Sequence, residues 1–592
     1  MSKPFLDRIP DLKTLRKFDP NQLLELAKNL RQAIIEALAK GEGHLGSSLG
    51  TVELSIALHF VFNTPKDLLI WDVGHQAYGH KMLTGRKDSF DQLRQQGGIS
   101  GFPKRDESPF DAFGTGHAGT SISAALGMAL SAQLQGVKKH HIAVIGDASI
   151  ANGMAFEALN HLGTTSANVL IVLNDNSMGI DPSVGALKNY FDSVKTTESS
   201  LPNFFKNLNI AYSGPLDGHN IDLLIKTLTE QKKQLGPRLI HIVTKKGKGL
   251  PLAENKQITY HAPGKFDPVT GKLNPANGKQ KIKFQEVFGK TLLHLAQHNS
   301  RIVAITPAMP TGSGLVELMQ EFPDRCIDVG IAEQHAVTLA AGMATQGILP
   351  FCVIYSTFLQ RAYDQLIHDV ALQKLPVVIC VDRAGIVGHD GPTHHGVFDI
   401  VYLRCIPNLT IAAPRNAQEL QNLLYTAQLG LNQPLAIRYP RGYSQLTELN
   451  FNFKKIEWGK GQCLKTGDRY AILSVGTLAE AIEEALTEVD QPENFAHYDL
   501  GFVKPLDTGL LHEVFTKYKR IVFYEEGSIK GGAGSAVLEF AAAHHYTVPI
   551  DLEGVPDEFI SHGNSNKLFQ NLGLDAQGIC KKLNSLSNKN KE

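Results

Sequence analysis

The segment His141-Ile-Ala-Val-Ile-Gly-Asp147, followed by Val169-Leu-Ile-Val-Leu-Asn-Asp-Asn176, constrains the fold of this chain more than any other. Both runs are apolar and β-branched, and each ends in a polar side chain able to ligate a hard cation. Between them, Gly153–Leu162 carries apolar residues three and four apart, the period of a helix. Strand, helix, strand predicts a right-handed crossover between parallel strands. Asp147 and Asn176 then share the carboxyl edge of one sheet, where ligands bind in such folds. One carboxylate and one amide oxygen are too few for a closed all-protein cage. They suit magnesium, which takes its remaining ligands from phosphates and water. A diphosphate held through a metal is the expectation. The plain alternative is an aspartate that caps the following helix.

A chain of 592 residues exceeds a single core, and about three domains are expected. Hydrophobic residues make up 43% and charged residues 20%, ordinary for a soluble globular protein. Lys plus Arg and Asp plus Glu balance at 58 each, so no global charge argues for nucleic acid or an anionic membrane as partner. The six cysteines show no CxxC spacing, which argues against a zinc ribbon or disulfide framework and fits a reducing compartment. No apolar run reaches membrane-spanning length, and Met1–Pro10 has the character of neither a signal nor a transit peptide. A soluble, cytoplasmic protein is expected.

Three α/β series follow one another, each reading as a parallel sheet with covering helices. The division expected is 1–280, 281–448 and 449–592. The first series has helical patterns over Asn21–Leu38 and Ser121–Gln135 and strands over Leu69–Val73 and Leu239–Thr244. From Pro251 to about Lys281 the pattern fails, as in an inter-domain linker. The second series places strands near Ile302–Ile305, Cys326–Val329, Phe351–Ile354, Pro376–Val381 and Leu435–Arg438. The third runs from Tyr470–Val475 through His497–Leu500 and Arg520–Tyr524 to a glycine-rich turn at Gly531–Gly534 and a strand over Val548–Leu552. The last dozen residues read as a frayed tail. Asp181 to about Asn203 breaks any long pattern, and a substrate gate and an ordinary surface loop fit it equally.

Histidines beside glycines recur: His44, His75, His117, and the pair His394 and His395. Glycine allows close backbone approach, so four such loops suggest a site handling phosphates and protons, although one alone is more often structural. No pair has zinc-ligand spacing on a helix face. His140-His141 and His544-His545 read as surface residues. Glu333, in Asp328-Val-Gly-Ile-Ala-Glu-Gln-His-Ala-Val337, stands where a strand turns into a helix; such a glutamate can also simply complement the helix dipole. Phe358 offers an aromatic face, and Arg383, Arg438 and Arg441 offer guanidinium groups at strand ends, suited to phosphate or carboxylate.

Taken together, Trp71–Lys81, Asp147 with Asn176, Asp328–Gly342, Tyr355–Asp369, Asp382–Gly396 and Arg438–Gly442 closely resemble the 1-deoxy-D-xylulose-5-phosphate synthase family, from about Leu6 to Gly563. These are transketolase-like thiamine diphosphate enzymes. The resemblance implies an α/β fold of transketolase-like architecture: two parallel-sheet domains that bind the diphosphate and the pyrimidine side, and a smaller C-terminal domain. It implies thiamine diphosphate and Mg2+ as cofactors, pyruvate and D-glyceraldehyde 3-phosphate as substrates, a homodimer, and a place at the start of non-mevalonate isoprenoid and thiamine precursor synthesis. By the same resemblance Asp147, Asn176 and the Met178 carbonyl are the metal ligands. His75, Gly116, His117, Ala118, Ala148, Ser149, Lys246 and Leu250 are cofactor contacts, and Phe358 packs on the pyrimidine ring. Glu333 hydrogen-bonds that ring, favouring the imino form whose nitrogen deprotonates the thiazolium carbon. Tyr355, Arg383, Arg441 and His261 face the substrates, and His44, Asp390 and His394 are candidates for proton transfer and substrate polarisation.

The chain departs from the family in several places. Ala148 replaces a glycine, Ala118-Gly119 stands for two serines, Leu250 stands where an aromatic is common, and the segment after Asn176 is short. None of these removes a residue of the metal or proton chemistry. Transketolase-type ketol transfer and a catalytically degenerate cofactor-binding protein remain as rival readings. The expected chemistry requires Glu333 and the Asp147–Asn176 pair to serve one cofactor.

Overall fold

The computed structural model describes residues 6, 11–196, 203–274 and 281–588. Contacts divide the chain after Ala276 into two compact units, with Gly330–Ala332 grouping with the first.

The first unit is built on five parallel strands: β1 (Leu68–Trp71), β2 (His141–Gly146), β3 (Val169–Asp175), β4 (Ala211–Asp217) and β5 (Arg238–Val243), in the order β1-β2-β3-β5-β4. The central strands are apolar on both faces because helices cover both. Ala143, Ile145, Ile171 and Leu173 enter one buried cluster, and Ile142, Val144, Leu170 and Val172 enter another. The predicted crossover helix forms over Gly153–Leu162, with Asn152 capping it through Met154 N at 3.1 Å. Gly146 pairs with Asn174, so Asp147 and Asn176 leave the sheet together.

Three expectations for this unit need correction. Residues 251–274 of the expected linker are not loose, since a helix forms over Pro251–Asn255 and Tyr260 and Phe266 pack into the core; residues 275–280 lie outside the described residues. His141 is buried, not superficial, because it opens a central strand and its Nδ1 meets the Asn168 carbonyl at 3.1 Å. Ala186–Thr196 is helical despite its polar sequence, with Phe191 as its buried anchor. Residues 197–202 of the segment read as a loop or gate lie outside the described residues.

The second unit carries two sheets. The first contains β6 (Ile302–Thr306), β7 (Cys326–Asp328), β8 (Leu349–Tyr355), β9 (Val378–Ala384), β10 (Thr410–Ala412) and β11 (Leu435–Pro440). The other contains β12 (Gln462–Lys465), β13 (Tyr470–Val475), β14 (Phe495–Asp499), β16 (Arg520–Ser528) and β17 (Ile550–Val555); β15 (Phe502–Lys504) crosses back to the first. Their orders are β15-β10-β11-β9-β8-β6-β7 and β12-β14-β13-β16-β17. Neither sheet is wholly parallel as expected: β15 runs antiparallel to β10, and β12 to β14. Such short edge strands give weak local signals. The expected frayed tail is a helix to Asn588, held by buried Ile579, Leu583 and Leu586; residues 589–592 lie outside the described residues.

Candidate active site

In the first unit, Asp147 begins a single helical turn after β2 and is 5% exposed. Its Oδ1 accepts from Asn176 N at 3.3 Å and its Oδ2 from Ser183 Oγ at 2.7 Å. Burial, then the neighbouring Asp175, push its carboxyl up to about 7. That is the state of a carboxylate lacking a full counter-charge. The Asn176 side-chain oxygen accepts from Met178 N at 3.0 Å and retains a second lone pair. Lys246, also buried, donates to the Gly179 carbonyl at 2.7 Å; burial lowers its ammonium to about 8, while Asp147 and Asp181 oppose the shift. Among the described residues no group of three or more His, Cys, Asp or Glu side chains is arranged to hold a metal. Asp147 and Asn176 offer side-chain oxygens, the donor type that a hard cation such as magnesium takes.

His44, His75 and His261 gather nearby, with ring centroids 5.9, 5.1 and 6.1 Å apart. Burial, then Lys246, lower the His75 imidazole to about 3, so it is neutral at ordinary pH, and its Nδ1 has no hydrogen-bond partner among the described residues. Arg94 Nη2 lies 2.8 Å from Nδ1 of His44 and 3.4 Å from its Nε2. A guanidinium only donates, so the nearer nitrogen, Nδ1, accepts. The Gly116–Ala118 turn is held from behind. Asp72, fully buried, accepts from Gly119 N at 2.8 Å and Ser121 N at 3.0 Å. Ser149 is buried beside Asp147, Ala148 is partly exposed, and Leu250 packs in the cluster of Leu45, Leu49, Tyr260 and Phe266.

In the second unit, Glu333 opens the helix Glu333–Ala344 and is 3% exposed. Its Oε2 has no hydrogen-bond partner among the described residues, and burial raises its carboxyl against the opposing pull of Arg361. An ionisable side chain buried at this cost without a full set of partners is characteristic of functional sites. Tyr355, at the end of β8, stacks on Phe358 at 5.7 Å, and Phe358 meets the His394 ring edge-on at 5.6 Å. Arg383 lies over the Tyr355 ring at 3.9 Å. Arg441 donates to the Val387 carbonyl at 3.0 Å and to Asp390 at 3.2 Å. His394 Nδ1 is 2.8 Å from the Thr393 hydroxyl. Arg438, read from the sequence only as a strand-end guanidinium, turns inward to Asp399 at 3.0 Å.

Asp147, Asn176, Met178, Lys246, His44, His75 and His261 thus lie in one unit, and Glu333, Tyr355, Phe358, Arg383, Asp390, His394 and Arg441 in the other. Sequence reasoning missed Asp72, Arg94 and Ser183 as partners of site residues. Asp72 left a signal, a polar residue closing β1 ahead of Val73-Gly74. Arg94 and Ser183 act across loops and left none.

Residues 6–201 and 192–244 match the family described as 1-deoxy-D-xylulose-5-phosphate synthase. Residues 280–445 match the transketolase pyrimidine-binding domain, and 459–579 the transketolase C-terminal domain. A 1-deoxy-D-xylulose-5-phosphate synthase of Cytophaga hutchinsonii is 49% identical, with 97% of each chain aligned. One of Bacteroides fragilis is 49% identical over 96% of this chain and 94% of that one. A third, of Nitrosomonas europaea, is 47% identical over 98% of this chain and 99% of that one.

Proposed function

The chain belongs to the 1-deoxy-D-xylulose-5-phosphate synthase family, and on that premise we propose how its residues divide the work. It is a thiamine diphosphate-dependent transferase of transketolase-like fold that condenses pyruvate with D-glyceraldehyde 3-phosphate, releasing carbon dioxide, to form 1-deoxy-D-xylulose 5-phosphate. Bound thiamine diphosphate supplies the carbon nucleophile and the electron sink for the decarboxylation.

Asp147, Asn176 and the Met178 carbonyl would hold Mg2+, which would supply the positive charge that anchors the diphosphate. His75, the Gly116–His117–Ala118 turn, Ala148, Ser149 and Lys246 hold the diphosphate side, with Leu250 as an apolar wall. Glu333 gives or takes a proton at the aminopyrimidine ring, against which Phe358 packs. His44, which accepts from Arg94, and His261 polarise substrate oxygens, and Asp390 and His394 shuttle protons. Tyr355, Arg383 and Arg441 receive the phosphate of the aldehyde. We further propose the domain division 1–280, 281–448 and 449–592, a homodimer, a cytoplasmic location, and a product that feeds non-mevalonate isoprenoid and thiamine precursor synthesis. No helix among the described residues is long and apolar enough to cross a membrane.

One observation carries the reading of a cofactor contact at Glu333: it is buried with an oxygen that has no partner among the described residues. Such an arrangement costs stability and has a use only if something binds there. Near-full-length identity to synthases disfavours the ketol-transfer reading. The test is carbon dioxide release from pyruvate and D-glyceraldehyde 3-phosphate with thiamine diphosphate and Mg2+ supplied. One carbon dioxide per condensation product is expected; ketol transfer releases none, and a degenerate protein turns over neither substrate. Arg441→Ala is expected to raise KM for the phosphorylated aldehyde by about tenfold or more while leaving KM for pyruvate near wild type. Steady-state kinetics in each substrate measures this, and an unmoved aldehyde KM removes Arg441 from the phosphate site.

A further inference from the structure

In the third sheet the chain leaves β13 for β14 on one side and β16 for β17 on the other. The crevice between the carboxyl ends of β13 and β16 is therefore the switch point where open α/β sheets bind ligands. Here the chain fills it. Glu525, fully buried, accepts from Ala533 N at 2.8 Å and Gly534 N at 3.0 Å, taking the helix-terminal amides that a ligand anion would otherwise meet. Arg438 donates to the Glu526 carbonyl at 3.0 Å and pairs with Asp399.

The neighbouring side chain, Glu526, is also buried and reaches the other way. Its Oε1 accepts from Ile386 N at 2.7 Å. Ile386 lies in the segment between Arg383 and His394, the stretch that also carries Asp390. Further bonds tie that segment to the same side. Gly563 N donates to the Gly388 carbonyl at 3.3 Å, and just past the segment Ser528 N donates to the Val397 carbonyl at 2.9 Å. His395 accepts from Val387 N at 3.1 Å and meets the Ser561 carbonyl at 3.3 Å. Two glycines show how close the approach is. A Cβ at Gly385 (φ +80°) would lie 2.0 Å from Glu526 Oε1, and one at Gly391 (φ +73°) would lie 2.8 Å from the His562 Cβ. Both glycines admit the third sheet and its flanking loop.

We propose that Glu526 is a positioning residue for the condensation, the point at which the closed crevice of the third sheet anchors the substrate-side segment from Arg383 to His394. This rests on the synthase reading above. Glu526→Ala removes the acceptor, and Glu526→Gln keeps a side-chain oxygen for Ile386 N. In Glu526→Ala, KM for D-glyceraldehyde 3-phosphate should rise by about tenfold or more, and amides in 385–396 should exchange with deuterium faster by a similar factor, with β2 and β3 unchanged. In Glu526→Gln both should stay within about threefold of wild type. Where the alanine variant does not fold, Gly385→Ala forces the same separation from the opposite side and should give the same two changes. Aldehyde KM and local exchange that stay at wild type, or a glutamine variant as impaired as the alanine one, overturns the proposal. Lack of turnover in the wild type would sink only the functional reading, because the exchange measurement needs no substrate.

Discussion

Glu333→Ala should leave a folded protein whose turnover of pyruvate and D-glyceraldehyde 3-phosphate is lower by at least about 100-fold, the scale of a lost general acid–base group. Glu333→Gln, similar in volume but unable to exchange a proton, should fall as far. Stability should move the other way. Burial raises the Glu333 carboxyl in the folded state, so the native protein holds its proton more tightly than the unfolded chain does. Its contribution to stability therefore falls as pH rises from the unfolded value of 4.5 through the folded one. The glutamine variant escapes this penalty. Its Tm should match wild type in acid and exceed it at neutral pH, as expected of a residue kept for function at some cost in stability. Differential scanning calorimetry of the cofactor-free proteins across this range measures it. A glutamine variant that is active, or less stable than wild type at neutral pH, contradicts the role.

Asp147→Ala should impair the enzyme at the other end of the cofactor. Removing a charged metal ligand should weaken Mg2+-dependent binding of thiamine diphosphate by more than about 100-fold, since even supporting residues around metal ligands are worth tenfold to that much. Asp147→Asn keeps one oxygen and should fall between. Titration of thiamine diphosphate at several fixed Mg2+ concentrations, followed by intrinsic fluorescence, gives the affinities. Binding at wild-type strength in Asp147→Ala would remove the metal site from Asp147 and Asn176.

Much of this was legible in the chain because it lies in local pattern. The alternation of β2, Gly153–Leu162 and β3 is a run of periodic apolar residues, and a parallel crossover leaves one place for the two polar strand ends. The place of Glu333, first residue of a helix entered from a strand, was readable for the same reason, while its role came only from the family resemblance. The rest depends on contacts between distant segments. Arg94 reaches His44 from a left-handed backbone position, φ +61°, which a bulky residue seldom takes and no periodicity announces. Ser183 meets Asp147 across 36 residues, and Glu526 meets Ile386 across 140. The short edge strands β12 and β15 were missed because four or three residues carry too little alternation to stand out. The helix ending at Asn588 was missed because its apolar residues are sparse, and packing against the third sheet supplies what propensity does not.

Activation by Glu333 of a cofactor that Asp147 and Asn176 hold through a metal is the central proposal. Exchange of the thiazolium C2 proton with deuterium, followed by proton NMR in wild type, Glu333→Gln and Asp147→Ala, tests both parts together. Glu333→Gln should bind thiamine diphosphate yet exchange that proton at least about 100-fold more slowly, and Asp147→Ala should fail to retain the cofactor at all. A Glu333→Gln protein that exchanges at the wild-type rate with cofactor bound would contradict it.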